Sequence, residues 1–373
     1  VGRADPDGNL PEKGTNPPRR KAMIWSCFGS TKPARGMGGK LLTTLTVAAL
    51  LALASWNTGH AAEAKYTLRV ASWGSPTAPQ VSVFVPAFIR QVEAGSKRQI
   101  AVQSFPAGAL VKEQDVPSAI ESHVVDISLS EIGGWSSISP AAALMNSVLF
   151  RPTDANFQAF AGAGTPVFAA LAKSLRKHGV VLLAVLDNGP PMVVSRSQMT
   201  TPADFKGKVI RTYDKATSEL IHTLGGAPST MPVSEVYPAL QRGTVQAAIG
   251  GIQGISGLKE YEVTKYLLNG NGAFGVGVTL YVMNEAALQA LPPALQKVVI
   301  EAGQSAERVA NTAIIASFAQ DLQQMRKHGM QVTELQPGTP GYKAFIAALA
   351  PLAKAQEGHY PAALIKTMLD VRH

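Results

Sequence analysis

Residues Asp204 to Gly250, DFKGKVIRTYDKATSELIHTLGGAPSTMPVSEVYPALQRGTVQAAIG, constrain the fold more than any other stretch, because they read as a complete β-α-β-α-β unit. Lys208 to Thr212 has the β-branched centre of a short strand, Val209-Ile210, and delivers Arg211 to its C-terminal end. Helical spacing from Lys215 to Leu224 stops at Gly225 and Gly226, which suit the left-handed position after a helix. Ser229 to Met231 is short and extended. Ser234 then opens a second helix, where its hydroxyl can cap the free amides of Glu235, Val236 and Tyr237, and Gly243 closes it. Val245 to Ile249 is the next strand. The alternation predicts an open α/β sheet.

Ligands of open α/β sheets sit outside the carboxyl ends of the strands. Arg211 is at such an end, beside Tyr213 and Asp214. A guanidinium is a planar fork of donors that matches a carboxylate bidentately, so one reading is an anion clamp. The other is a surface arginine paired with Asp214 or simply solvated.

The segments DFKGKVIR, G-G-A-P, MPVSEVYPALQRGTVQAA and YVMNEAALQALPPALQKVV resemble the substrate-binding proteins of tripartite ATP-independent periplasmic (TRAP) transporters. The resemblance covers roughly residues 65 to 370, and K-G-x-x-x-R with S-E-V-Y-x-A-L-Q-x-G-x-V is its most specific part. It implies an α/β, type II-like periplasmic binding protein of two lobes with a cleft between them and a long helix spanning both. It also implies that Arg211 binds the carboxylate of an organic acid, which the closed lobes deliver to a TRAP membrane permease. The expected division is 65–188 with 277–316 in one lobe, and 189–276 with 317–373, the C-terminal helices included, in the other.

The net charge of +9 suggests nucleic acid until it is located. Residues 1–62 carry +5 of it, and the remaining +4 is scattered among acids with no basic stripe for a phosphate backbone, so no nucleic-acid partner is expected. Lys40, the uncharged run Leu41 to Ala54, and the small residues around Gly59 to Ala64 form the three parts of a secretory signal. A soluble mature chain starting between Ala62 and Lys65, in the periplasm of a Gram-negative cell, is the expectation. Residues 1–36 read as an upstream extension, with a plausible initiator at Met37 or, within the stretch, at Met23. The only cysteine, Cys27, lies there without the apolar run of a lipid-anchor signal, so disulfides and thiol chemistry are not expected beyond it.

Along the rest of the chain, strands are expected at Tyr66 to Ala71, Ile100 to Phe105, Val125 to Glu131, Val180 to Leu186, Met192 to Ser195 and Val278 to Met283. Helices are expected over Gln80 to Ala94, interrupted by Pro86, and over Glu113 to Ser122 and Ala155 to His178. A helix starting at Pro292-Pro293 runs without proline to His328, and stretches near Tyr342 to Gly358 and Pro361 to Val371 follow. At 1.5 Å per residue the proline-free helix is roughly 50 Å long, more than one lobe needs. Asp187-Asn188-Gly189-Pro190-Pro191 is the first linker, and the glycine-rich run Gly270 to Gly277 is the return. That run contains G-x-G-x-x-G but opens a strand, so it fails as a dinucleotide site and fits a hinge or a close approach to ligand.

Trp73, in a loop of small residues resembling the family's first ligand-contacting loop, either stacks on a ligand or anchors the loop. Glu131 ends a strand, with Trp135 close behind. It can accept from a ligand hydroxyl or amine, neutralise Arg211 in an empty site, or sit in solvent. The histidines at 123, 178, 222, 328 and 359 lack metal-ligand spacing, and no P-loop, G-x-S-x-G or H-E-x-x-H is present, so no metal, cofactor or catalysis is expected. Two departures from the family bear on the ligand. Pro191 or Met192 stands where many acid-binding members have a second arginine, and Gly250 replaces an asparagine. With Trp73, Trp135, Tyr213 and Phe274 near the cleft, an aromatic or aliphatic monocarboxylate is the expected ligand. A sensor presenting its ligand to a signalling partner and a periplasmic enzyme are the alternatives.

Overall fold

The computed structural model describes residues 64–151 and 156–369. The expectations about residues 1–62, Cys27 among them, fall outside the described residues. The strands in chain order are β1 (Tyr66–Ala71), β2 (Ile100–Phe105), β3 (Ile127–Glu131), β4 (Val180–Asp187), β5 (Met192–Ser195), β6 (Val209–Thr212), β7 (Ala227–Thr230), β8 (Ala247–Gly250), β9 (Tyr266–Asn269), β10 (Val278–Asn284) and β11 (Gln331–Glu334). They form a five-stranded sheet, β2-β1-β3-β10-β4, and a six-stranded sheet, β11-β9-β5-β8-β6-β7. In the first sheet β1 is parallel to β2 and β3, and β10 runs antiparallel between β3 and β4. In the second, β6 is parallel to both β7 and β8, the arrangement a β-α-β-α-β unit produces, while β5 is antiparallel to β8 and β9.

Each sheet is covered on both faces, so even an edge strand can be buried along its whole length. All eight residues of β4, VVLLAVLD, are buried. The chain crosses between the sheets at Asn188–Pro191 and again at Gly270–Gly277, and these crossings bond to each other. The Asn188 amide donates to the Gly277 carbonyl at 2.9 Å, and the Gly277 amide donates to the Gly189 carbonyl at 2.8 Å. A Cβ on Gly277 would stand 2.9 Å from the Gly189 oxygen, so only glycine permits this approach.

The Pro293–Lys327 helix belongs to both cores. Leu295, Val299, Ala302, Ala306, Ala310 and Ile314 repeat at helical spacing and pack with the first sheet's Leu183 and Tyr281. Phe318, Leu322 and Met325 continue the stripe among Met192, Val194 and Leu267 of the second sheet. Two polar residues tie this helix to the end of β4. Glu307, fully buried, accepts from the amides of Val185 and Ala163 and from Gln158 Nε2 at 2.7–2.8 Å. Asn311 accepts from the Asp187 amide at 2.9 Å.

Several expectations are corrected. The helix expected from Ala155 to His178 is two, Phe157–Ala161 and Pro166–Arg176. The chain between them is Gly162 to Thr165, where the Thr165 hydroxyl caps the Phe168 amide at 3.1 Å and Pro166, lacking an N–H, starts the second helix. The break near Pro86 falls instead at Val83, between helices Pro79–Ser82 and Phe84–Gly95, because proline in a first turn displaces no helical bond. Ser234 makes no helix cap, since Val233–Glu235 is a 3-10 turn leading into Val236–Arg242. The last helix, Ala362–Leu369, does not join the second sheet with Pro340–Glu357. The latter places Phe345 and Leu349 against Phe205 and Phe274 of the second core. Leu364, Ile365 and Met368 of the final helix form an apolar stripe that the first core covers, beside Leu171 and Leu175.

Candidate ligand-binding site

Arg211 lies near the end of β6, paired in register with Ser229 of β7 and Ala248 of β8. It is 3% exposed, which removes the reading of a solvated surface arginine. Its guanidinium is fixed by backbone carbonyls. Nε and Nη2 donate to the Met231 oxygen at 3.1 and 3.0 Å, and Nη1 donates to the Ile249 oxygen at 3.2 Å. Two of the five guanidinium N–H groups are left without a hydrogen-bond partner among the described residues. No carboxylate among those residues pairs with it within 4.0 Å. Both expected ion pairs, with Asp214 and with Glu131, are therefore absent. Asp214 is engaged elsewhere, capping the Thr217 amide of the Lys215–Thr223 helix at 2.8 Å and accepting from Asn146 Nδ2 of the other lobe at 2.6 Å.

Arg211 opens onto a cavity of about 360 Å³ between the two sheets. The first sheet and its loops contribute Trp73, Gln80, Glu113, Glu131 and Thr279, and the second contributes Arg211, Tyr213, Gly250, Gln253 and Glu260. Many of the polar atoms here lack partners. Trp73 Nε1, Gln80 Oε1, Glu113 Oε2, Thr279 Oγ1 and both amide atoms of Gln253 are buried with no hydrogen bond. Each such atom costs roughly 1–3 kcal/mol, so a cluster around one cavity is matched to a polar occupant.

Burial also dominates the electrostatics. It pushes the Glu260 carboxyl up to about 7, against the nearby Arg211 charge that lowers it. It raises Glu131 well above the usual carboxylate range, reinforced by Glu113 and Asp214 and opposed by Arg211. Glu113 is raised chiefly by desolvation, with Arg211 and the Val233 backbone opposing. The Tyr213 phenol is raised by burial and by the surrounding carboxylates, and its ring lies 5.6 Å from the Arg211 Cζ.

Of the nine expected site residues, Arg211, Trp73, Glu131, Tyr213 and Gly250 line the cavity. The other four do not. Trp135 is fully buried and donates its indole N–H to Ser130 Oγ at 2.9 Å. Phe274 packs edge-on against Phe205 and Phe345, 6.4 and 5.3 Å away. Met192 is fully buried in the core that the long helix enters, and Asp214 caps its helix behind the cavity wall. The cavity is thus less aromatic than expected. Gln253, Glu260 and Glu113 went unrecognised. Glu260 sits in K-E-Y-E and Glu113 in K-E-Q-D, charged runs that read as solvated surface. Gln253 gave one weak signal, a long polar side chain in a glycine- and isoleucine-rich run.

A cleft closed by two α/β sheets, with paired crossovers and a buried arginine facing unpartnered polar atoms, defines a two-lobe solute-binding protein. The model of the family DctP, bacterial extracellular solute-binding protein, family 7, matches residues 71–358, and the chain belongs to that family. It is 28% identical over 240 residues to the 2,3-diketo-L-gulonate-binding periplasmic protein YiaO of Escherichia coli K12, spanning 64% of this chain and 72% of that one. Its fold is that of solved TRAP periplasmic solute-binding proteins. One, from Sulfitobacter sp. NAS-14.1 with bound β-D-galacturonate, superposes with TM-score 0.74 at 21% identity, covering 82% of this chain and 99% of the other. Another, from Sulfurospirillum deleyianum with bound succinate, gives TM-score 0.73 at 22% identity, with 82% and 98% covered. These identities speak for the fold alone. Among the described residues no helix is long and apolar enough to cross a membrane.

Proposed function

We propose that this protein is the periplasmic receptor of a TRAP-type transporter, that its two lobes close over a small organic acid, and that it hands the acid to a membrane permease. The observation that carries the reading is the pair of unpartnered N–H groups on the buried Arg211 at the wall of the cavity. A carboxylate would meet both in a bidentate pair. One arginine accommodates one such group, which favours a monocarboxylate. Gly250 supports the same placement, since a Cβ there would lie 3.9 Å from Arg211 Nη1 and its absence leaves room beside the fork. Trp73 and Tyr213 remain as the ring surfaces for a ligand's apolar part. The crossovers at Asn188–Pro191 and Gly270–Gly277 are the proposed hinge, and ligand contacts made to both lobes at once would drive closure. Residues 1–62 would be removed on export.

A thermal-shift screen of small carboxylates tests the reading. A ligand at a hundred times its Kd should stabilise by about 2.7 kcal/mol. Cells lacking the gene should also lose uptake of the acid that the screen identifies. A screen in which no carboxylate raises the melting temperature would overturn the proposal.

A further inference from the structure

Resting on the reading of Arg211 as the carboxylate site, we propose that the ligand also carries an organic cation, such as an ammonium or amidinium. Glu113, Glu131 and Glu260 would form the subsite that receives it, making the ligand a zwitterionic acid.

The ionisable groups lining the cavity are unbalanced. One guanidinium faces three carboxyl groups in about 360 Å³, and burial holds all three raised although Arg211 opposes it. A simple organic anion would pair with Arg211 and leave the three carboxyls with no cation of their own. A zwitterion brings one charge for each side of the site. The carboxylates are also poorly occupied by the protein. The Glu260 side chain accepts no hydrogen bond among the described residues although the residue is 4% exposed, and Glu113 Oε2 is buried without a partner.

Gln253 supplies an independent observation. It is 4% exposed, lines the same cavity, and has neither amide atom partnered, so the space beside the carboxylates is shaped for a polar group that the protein does not supply. The three carboxylates come from three elements, the turn Glu113–Asp115, the end of β3 and the turn Glu260–Glu262, and from both lobes. The ligand's cation would therefore be a contact made fully only when the lobes face each other. Among the described residues no group of three or more His, Cys, Asp or Glu could hold a metal ion. Carboxylates spread around the cavity suit a larger, softer organic cation instead.

Protonation follows the same logic. Glu260, Glu131 and Glu113 are raised by burial, and the charged or titratable groups around them are Arg211, Asp214 and Tyr213. A bound cation would return the carboxylates to the charged form, so binding near pH 7 should release protons.

The test uses matched pairs that differ only in the cation: glycine betaine with 3,3-dimethylbutanoate, pipecolate with cyclohexanecarboxylate, and 4-aminobutanoate with 4-hydroxybutanoate. Affinities are measured by calorimetry in two buffers of different ionisation heat, for wild type, Glu131→Gln/Glu260→Gln and Arg211→Ala. The cationic member of at least one pair should bind tenfold or more tightly than its twin with net proton release. That preference should fall to about onefold in the double glutamine variant, and Arg211→Ala should weaken both members. Twins that bind equally, or better without the cation, overturn the subsite while leaving the arginine reading intact. If only the arginine variant has no effect, the arginine reading fails; if no carboxylate of either kind binds, both fail.

Discussion

Replacing Glu260 by glutamine isolates the cost of holding a carboxyl group in this cavity. The residue is 4% exposed, and burial lifts its carboxyl from the ordinary value of about 4.5 to about 7 despite Arg211 nearby. An acid whose folded-state value is raised keeps its proton in the native protein while the unfolded chain has already lost it. Its effect is absent below about pH 4.5, and stability falls as pH rises towards 7 and stays lower above it. The gap of roughly two and a half units, at 1.36 kcal/mol each, makes the ionised form about 3 kcal/mol costlier in the ligand-free protein. Glutamine has the same shape and no charge to lose. Urea denaturation of both proteins at intervals from pH 4.5 to 8 should show equal stability at the acid end and a glutamine variant ahead by about 3 kcal/mol at pH 8. The other raised carboxyls, Glu113, Glu131, Glu307 and Asp321, are common to both proteins, so the difference reports Glu260. A difference that does not grow with pH would refute the argument.

Glu307→Ala leaves the buried Val185 amide, the partly buried Ala163 amide and the Gln158 side chain without an acceptor; a loss of about 3–5 kcal/mol is expected in urea denaturation. Asp214→Ala removes both a helix cap and the Asn146 bond between the lobes. Stability should fall by about 1–2 kcal/mol, read as a lower denaturation midpoint.

The parts of the fold that could be read from residues alone are those whose local signals agree with their long-range packing. The Asp204–Gly250 unit has glycines at its helix ends and β-branched strand centres, and it is built in that order as β6 to β8. The proline-free helix declares its length, and its apolar stripe runs from Leu295 to Met325 through both cores. The break after Ala161 was hidden because Gly162-Ala163-Gly164 look like small helix residues, whereas Pro166 begins a helix there. In the site, position along the chain located strand ends but not the direction of each side chain. Trp135 and Phe274 follow strand ends and still turn into the cores. Gln253 and Glu260 are buried and Glu113 half-buried by contacts distant in sequence, and periodicity carries no trace of that.

Calorimetry of Arg211 variants against the tightest carboxylate from the screen tests the central claim most directly. Alanine leaves the ligand's carboxylate desolvated and unpaired, which typically costs ~2–5 kcal/mol, or about 30-fold to several thousand-fold in affinity. Lysine keeps the charge but loses the planar fork that the Met231 and Ile249 carbonyls orient, so its affinity should fall between alanine and wild type. Unchanged affinity in the alanine variant would contradict the carboxylate site and the class of ligand inferred from it.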